Sequence, residues 1–368
     1  MKIVFIGGRD IHKLGGIENY MFNLATQLAK LGHEAIVFCE SNRNRDEHIN
    51  GFRVIYQKGP NNVYLCKPWL GLKSTLKAIF KIKKVDFIHY NTFAPAYCIL
   101  LPRLLGQKAI LQGHGLEWER TKYSSFKRTL IKRISTTITR MSKYVIMCSE
   151  AQSQYFNKEY GLNCTTIPTA INLPNYDIKI KSDILKRYNL IGKKYFLFMA
   201  RIVPEKNPHI LINAFIRANV QGYYLVIAGD NDADISFVEE CHELAKGCDS
   251  IIFTGSVYGD DKEMLLRNAF SFCVPSTIEG LSISLLEGMA NRLPIIASDI
   301  PANREVLEED KAFWSIPEDT DSLAKSLILT TQSNDLKTMT EYNFNKVSTN
   351  YTWEVVAKKY ISYLESIL

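Results

Sequence analysis

The chain has 368 residues, enough for two domains of ordinary size, and its composition is that of a globular protein without low-complexity tracts or short-period repeats. No apolar run approaches the ~20 residues that span a bilayer, since the longest, Ala94 to Leu105, is broken by Pro95, Pro102 and Arg103. The net charge of +7 hides an asymmetry: residues 1–170 carry 25 Lys and Arg against 11 Asp and Glu, and residues 171–368 carry 20 against 27. A basic first half points to an anionic partner. It does not point to nucleic acid, because no nucleic-acid motif accompanies the charge.

The N-terminus, M-K-I-V-F-I-G-G, reaches a glycine pair too soon for a signal peptide and reads as a first strand, Lys2 to Gly8. A loop follows, ending in Gly15-Gly16. Ile17, Met21, Leu24, Ala25, Leu28 and Leu31 then recur at helical spacing, with Gly32 as a C-terminal stop. Glu34 to Cys39 is the next strand. Strand, glycine loop, helix and strand open a Rossmann-like half. No G-x-G-x-x-G is present, which argues against a dinucleotide cofactor. Arg43 to Asn50 reads as a polar loop.

Lys67 to Lys84 is basic and amphipathic, with Trp69, Leu70, Leu72, Leu76, Ile79 and Phe80 among six lysines. Asp86 to His89 and Lys108 to Gln112 are strands. His114 stands between Gly113 and Gly115 just past a strand end, where α/β sheets bind ligands, and suits a hydroxyl or phosphate unless it only caps backbone groups. Lys122 to Arg140 is a second basic helix, with Leu130, Ile131, Ile134 and Ile138 as its apolar side. Two such helices on the basic half suggest an anionic membrane surface. Tyr144 to Cys148 is strand, and Ile167 to Asn172 then leads into a polar segment that reaches Lys194, with the domain boundary near residue 170. The eight cysteines contain no C-x-x-C and read as reduced thiols, without a zinc site.

The α/β rhythm then restarts. Tyr195 to Met199 is strand, followed by a loop carrying Arg201 and Lys206 before Pro208 at a helix start. Two cations ahead of a helix N-terminus suit a diphosphate. Strands at Tyr224 to Ala228 and Ile251 to Phe253 follow, the latter leading into Gly255-Ser256-Val257. An apolar run, Ala269 to Pro275, leads into S-T-I-E-G-L-S-I-S-L-L-E-G-M-A, residues 276–290. Glu279 and Glu287 bracket seven residues, and Gly280 lets backbone amides approach a ligand. Such a loop suits sugar hydroxyls beside an anion site. Ser284-x-x-Glu287 also fits a capping box, so Glu287 has a plainer reading. Pro294 to Ala297 and Ala312 to Ser315 complete the strands. The helix from Thr352 to Leu368 has room to cross back to the first domain. Asp230-x-Asp232-x-Asp234 resembles the D-x-D of metal-dependent transferases, but that reading leaves Arg201, Lys206 and the two glutamates without a role.

Taken in order, Gly15-Gly16, His114, Arg201 with Lys206, and Glu279 with Glu287 resemble the retaining family 4 glycosyltransferases of the GT-B fold, over essentially the whole chain. G-L-E-W-x-R at Gly115 to Arg120 is similar to a subgroup of bacterial rhamnosyltransferases, which carry an acidic residue where this chain has His114. The resemblance implies an α/β fold of two Rossmann-like domains with an interdomain cleft and a C-terminal crossover helix. An acceptor domain would span 1–170 together with 352–368, and a nucleotide-sugar domain 171–351. Arg201 and Lys206 would neutralise the donor diphosphate. Glu287 would bind the ribose. Glu279, with the amides of Gly280, Leu281 and Ser282, would hold donor-sugar hydroxyls. Gly15 and Gly16 would lie under the diphosphate, His114 would contact the sugar and Val257 would sit beside the base. Glu18 and Glu117 are acceptor-side candidates. No metal or other cofactor is expected. The implied activity is hexose transfer to a growing, lipid-linked bacterial surface polysaccharide, in the cytoplasm at the inner face of the membrane. The alternatives are a sugar-nucleotide epimerase or a non-catalytic nucleotide-sugar-binding partner.

Overall fold

The computed structural model describes every residue except 13, 14, 61, 63, 64, 120–123, 232 and 233, and leaves the Glu117 side chain undescribed. The chain divides into two compact units, Met1–Ala170 with Trp353–Leu368, and Ile171–Thr352.

The first unit runs β1 (Lys2–Gly8), α1 (Gly16–Lys30), β2 (Glu34–Ser41), β3 (Arg45–Ile49), β4 (Phe52–Lys58), α2 (Cys66–Lys81), β5 (Phe87–Tyr90), a 3-10 turn at Ala94–Cys98, α3 (Leu100–Leu104), β6 (Lys108–Gly113), α4 (Ser125–Met141), β7 (Tyr144–Met147), α5 (Glu150–Tyr160) and β8 (Thr165–Thr166). The final helix α14 (Trp353–Ser366) belongs to this unit. The sheet order is β3-β4-β2-β1-β5-β6-β7-β8. Strand alternation sends Ile3 and Phe5 to one face and Val4 and Ile6 to the other. The first face packs under α1 and α14, through Leu24, Leu28, Trp353 and Tyr360. The second packs under α2, the turn before α3, α4 and α5, through Ala78, Ala96, Ile138 and Phe156.

The segment read as a polar loop, Arg43 to Asn50, instead contains β3, paired antiparallel with β4. Asn50 and Gly51, with φ of 47° and 86°, make the tight reversal, and Asn-Gly is a strong hairpin signal. Its charged residues suit a sheet edge. Arg53 grips Asp46 across the pair, and Arg45 lies 3.8 Å from the centre of the Tyr56 ring.

The second unit runs α6 (Ile184–Arg187), β9 (Lys194–Met199), α7 (Pro208–Ala218), β10 (Tyr223–Ala228), α8 (Ile235–Leu244), β11 (Ile251–Phe253), α9 (Gly259–Asn268), β12 (Ser271–Val274), α10 (Ile283–Ala290), β13 (Ile295–Ser298), α11 (Pro301–Val306), β14 (Phe313–Ser315), α12 (Thr320–Gln332) and α13 (Leu336–Asn350). Its sheet is parallel in the order β11-β10-β9-β12-β13-β14. The order reverses direction between β9 and β12, and in the first sheet between β1 and β5. At such switch points the loops leaving the carboxyl ends of adjacent strands diverge and leave room for a ligand.

Candidate active site

In the second unit the loops after β9 and β12 meet at the switch point. Asn207 adopts a left-handed conformation, φ 53°, and its Nδ2 donates to the Pro275 carbonyl at 2.8 Å. The Thr277 amide donates to the Glu205 carbonyl at 3.0 Å. From the next strand, the Ser298 hydroxyl donates to the Ser276 carbonyl. These bonds hold Lys206 and Glu279 against each other. The Lys206 ammonium pairs with Glu279 Oε1, which also accepts from the Ser276 hydroxyl at 2.8 Å. The Glu279 side chain is 8% exposed and that of Lys206 20%. Arg201, on the same loop as Lys206, is exposed and makes no ion pair among the described residues. A side chain at Gly229 would collide with the Ala200 carbonyl, so the loops after β9 and β10 also pack backbone to backbone.

The loop after Glu279 leads through Gly280 and buried Leu281 to Ser282, whose hydroxyl caps α10 by accepting from the Leu285 amide at 3.3 Å. The capping box suggested for Ser284 and Glu287 does not form. The helix begins at Ile283, so Ser284 already lies inside the first turn and its hydroxyl meets Ser282 at 3.2 Å. Glu287 projects from α10 to Lys262 of α9, with 2.5 Å between Oε1 and Nζ. Lys262 was not legible as a site residue, because 25 residues separate it from its partner and α9 has no sequence signature. Val257 is half-buried in the loop after β11, following the left-handed Gly255.

In the first unit, the carboxylate of Glu18, in the first turn of α1, accepts from the Arg9 amide at 2.8 Å and is buried. It therefore ties down the loop after β1. A side chain at Gly15 would strike this carboxylate, whereas one at Gly16 would meet nothing within 4 Å among the described residues. Among the described residues neither packing nor a positive φ explains Gly16. His114 follows β6, and its ring stands edge-on to Tyr20 at 4.8 Å. Tyr20 donates to Gln112 Oε1 at 3.2 Å and packs on Trp353. His89 Nδ1 is hydrogen-bonded to the Tyr360 hydroxyl at 2.7 Å. Around them, the Nε2 atoms of His89, Gln112 and His114, both amide atoms of Asn91, and Thr92 Oγ1 are buried with no partner among the described residues. Burial, aided by the charge of Lys67, lowers His114 to about 4, and burial with the neighbouring His114 lowers His89 to about 3. Both rings are neutral at pH 7, which fits His114 to a hydroxyl better than to a phosphate.

The Glu117 side chain lies outside the described residues, as do Arg120 and Asp232. The neighbouring Trp118 is a core residue, packed on Phe93 and Phe156. Asp234 caps α8 by accepting from the Phe237 amide, and Asp230 accepts from the Asn231 amide. No cluster of three metal-ligating side chains occurs among the described residues.

Two Rossmann-like units with these switch-point loops define a GT-B fold. Sucrose-phosphate synthase from Thermosynechococcus elongatus superposes with a TM-score of 0.82 at 18% identity, covering 100% of this chain and 99% of that one. Anabaena HepE, solved with UDP, superposes with a TM-score of 0.76 at 17% identity over the whole of both chains. Residues 14–174 match the model described as Glycosyltransferase Family 4, and residues 181–346 the model described as Glycosyl transferases group 1. The chain belongs to these glycosyltransferase families. It is 24% identical to the GDP-mannose-dependent alpha-(1-6)-phosphatidylinositol monomannoside mannosyltransferase of Mycobacterium tuberculosis, over 95% of this chain and 94% of that one. It is 27% identical to the O-antigen chain mannosyltransferase RfbU of Salmonella typhimurium, over 49% of this chain and 48% of that one.

Proposed function

We propose that this glycosyltransferase moves a hexose from a nucleotide-diphosphate sugar to a lipid-linked surface glycan, with retention of anomeric configuration and without a metal. The observation that carries this reading is the joining of Lys206, Glu279 and Arg201 on two tied loops at the switch point of the second sheet, with Glu287 further along α10. Arg201 and Lys206 take the diphosphate and stabilise the charge that builds on the leaving phosphate. Lys206 is held in place by Glu279 until the diphosphate arrives. It then exchanges one anion for another, and Glu279 turns to the sugar hydroxyls with the amides of Gly280 to Ser282. Glu287, oriented by Lys262, takes the ribose, and Val257 lies beside the base.

In the first unit, the start of α1 at Gly16 takes a phosphate, as a helix N-terminus favours, and the neutral His114 addresses a sugar hydroxyl. Glu18 shapes that loop and is not a base. The departing phosphate oxygen accepts the acceptor's proton, so no protein general base is assigned. The full-length relative acts on a mannosylated phosphatidylinositol with GDP-mannose, by its name. A lipid-linked acceptor and GDP-mannose are therefore the first substrates to try. The acceptor is met at the cytoplasmic face of the membrane.

The test is nucleotide-diphosphate release from UDP-, dTDP- and GDP-sugars, with and without EDTA, in the presence of a lipid-linked acceptor extract. One donor turning over, dependent on acceptor and resistant to EDTA, is the expected result. Conversion of a donor without acceptor would instead indicate an epimerase. Loss of turnover in EDTA with rescue by manganese would overturn the metal-independent mechanism.

A further inference from the structure

The edge strand β3 has two unlike sides. Asp46 and His48 are exposed, and Asp46 is paired with Arg53. Arg45, Glu47 and Ile49 alternate with them and are partly buried, with Ile49 packed on the core under α1. Charge at a sheet edge explains the exposed side. It does not explain two charged side chains on the side that meets the core.

Both of them reach the loop that follows β1. The Arg45 guanidinium lies 3.0 Å from Asp10 Oδ2, and Glu47 Oε1 lies 3.0 Å from His12 Nε2. Tyr56, opposite Arg45 on β4 and buried, fixes the two side chains. Its ring carries the Arg45 guanidinium, and its hydroxyl donates to Glu47. The loop is held from its own side as well. Asp10 Oδ1 accepts from the His12 amide at 3.2 Å, Ile11 is buried in the core under α1, and the Arg9 amide donates to Glu18. Each residue from Arg9 to His12 is thus fixed, two of them from β3. Glu18 stands in the first turn of α1, so the ties run from β3 through Asp10 and Arg9 to the helix start at Gly16.

We propose that Arg45 and Glu47 are positioning residues for glycosyl transfer: through Asp10 and His12 they set where the start of α1 stands, and so where Gly16 takes a phosphate of the donor. The inference rests on the phosphate reading of Gly16. A helix N-terminus recognises a phosphate through backbone N–H groups, so the fit depends on where that backbone is held. Arg45 has a second effect. Asp10 is a carboxylate on the loop that must receive an anion, and the guanidinium offsets its repulsion. A strand with a packing role alone has no need of such an ion pair, because apolar groups in its place are often as stable or more so.

The test is binding of GDP-mannose, with UDP-glucose and dTDP-glucose alongside, to the full chain by calorimetry. Turnover on the lipid-linked acceptor extract is followed in parallel. Arg45→Met should weaken binding of the donor that the unaltered chain takes by about fivefold and raise the donor KM to match, with the acceptor KM unchanged. Arg45→Lys keeps the charge but not the fork and should recover part of that loss. Glu47→Gln, a milder change that serves if Arg45→Met does not fold, should weaken donor binding by roughly twofold. An unfolding midpoint that falls in these variants while donor affinity holds makes the ties structural and overturns the proposal. So does a rise of donor and acceptor KM together. Gly16→Ala, measured alongside, tells the two readings apart. If it weakens donor binding and the β3 variants do not, this inference alone fails. If none of them weakens it, or if the unaltered chain binds none of the three donors, the phosphate reading of Gly16 fails and this inference with it.

Discussion

The two switch points of this protein are built in opposite ways. In the second unit the polar groups are charged and already matched, Lys206 with Glu279 and Lys262 with Glu287. In the first they are neutral, and His89, Asn91, Thr92, Gln112 and His114 each hold a buried hydrogen-bonding atom with no partner among the described residues. A charge that is partly buried is costly to leave unpaired, so Lys206 and Lys262 stand against carboxylates, whereas the exposed Arg201 needs no partner. Neutral groups cost less to leave idle, of the order of 1–3 kcal/mol each. On the proposed reading, the second unit binds by exchange of partners and the first by hydrogen bonding to neutral groups.

The largest effect should come from acid. His89 and His114 are neutral when folded, with values near 3 and 4, against about 6.5 in the unfolded chain. Below pH 6.5 the unfolded state binds more protons, so stability falls as pH falls, by about 1.4 kcal/mol per unit for each ring until its folded value is reached. Above pH 7 neither contributes. Urea unfolding between pH 7 and 4.5 should show this slope, and His114→Asn should remove about half of it. A slope unchanged in that variant would mean that the first site is not neutral.

Next comes the matched pair. Lys206→Ala removes a charge-assisted contact of about 1.5–3 kcal/mol, so turnover should fall roughly tenfold to a hundredfold. It also strands the Glu279 carboxylate, so the unfolding midpoint should drop. Adding Glu279→Ala should restore stability but not turnover. Recovery of both would mean that the pair is structural only.

A smaller effect is expected at Lys262→Met. Glu287 loses its orienting partner, and KM for the donor should rise by about fivefold, for an interaction of order 1 kcal/mol, with kcat little changed. A fall in kcat without a change in KM would place Lys262 nearer the reacting atoms. The smallest effect on stability is at Gly16→Ala. The open space there means that alanine should stabilise the first unit by about 0.4–1 kcal/mol. Turnover should nevertheless fall, because a methyl group would stand where a ligand approaches α1. Unchanged turnover would remove Gly16 from the site.

The sequence by itself determined the parallel α/β architecture, because buried parallel strands must be short apolar runs and their crossover helices must show 3.6-residue periodicity. It also marked the loops where function gathers, since Arg201 with Lys206 and Glu279 with Glu287 are local patterns next to strand ends. It carried one hairpin signal, Asn50-Gly51, that the polar strand Arg45–Ile49 concealed. Only the tertiary structure decided who meets whom. It paired Lys206 with Glu279 and Lys262 with Glu287, made Ser282 the cap of α10, bound Glu18 to the Arg9 amide, and turned Leu130 and Ile134 outward. Those outcomes depend on strand order and on which helix face the sheet takes. Residues far apart in the chain set both, and no local spacing records them.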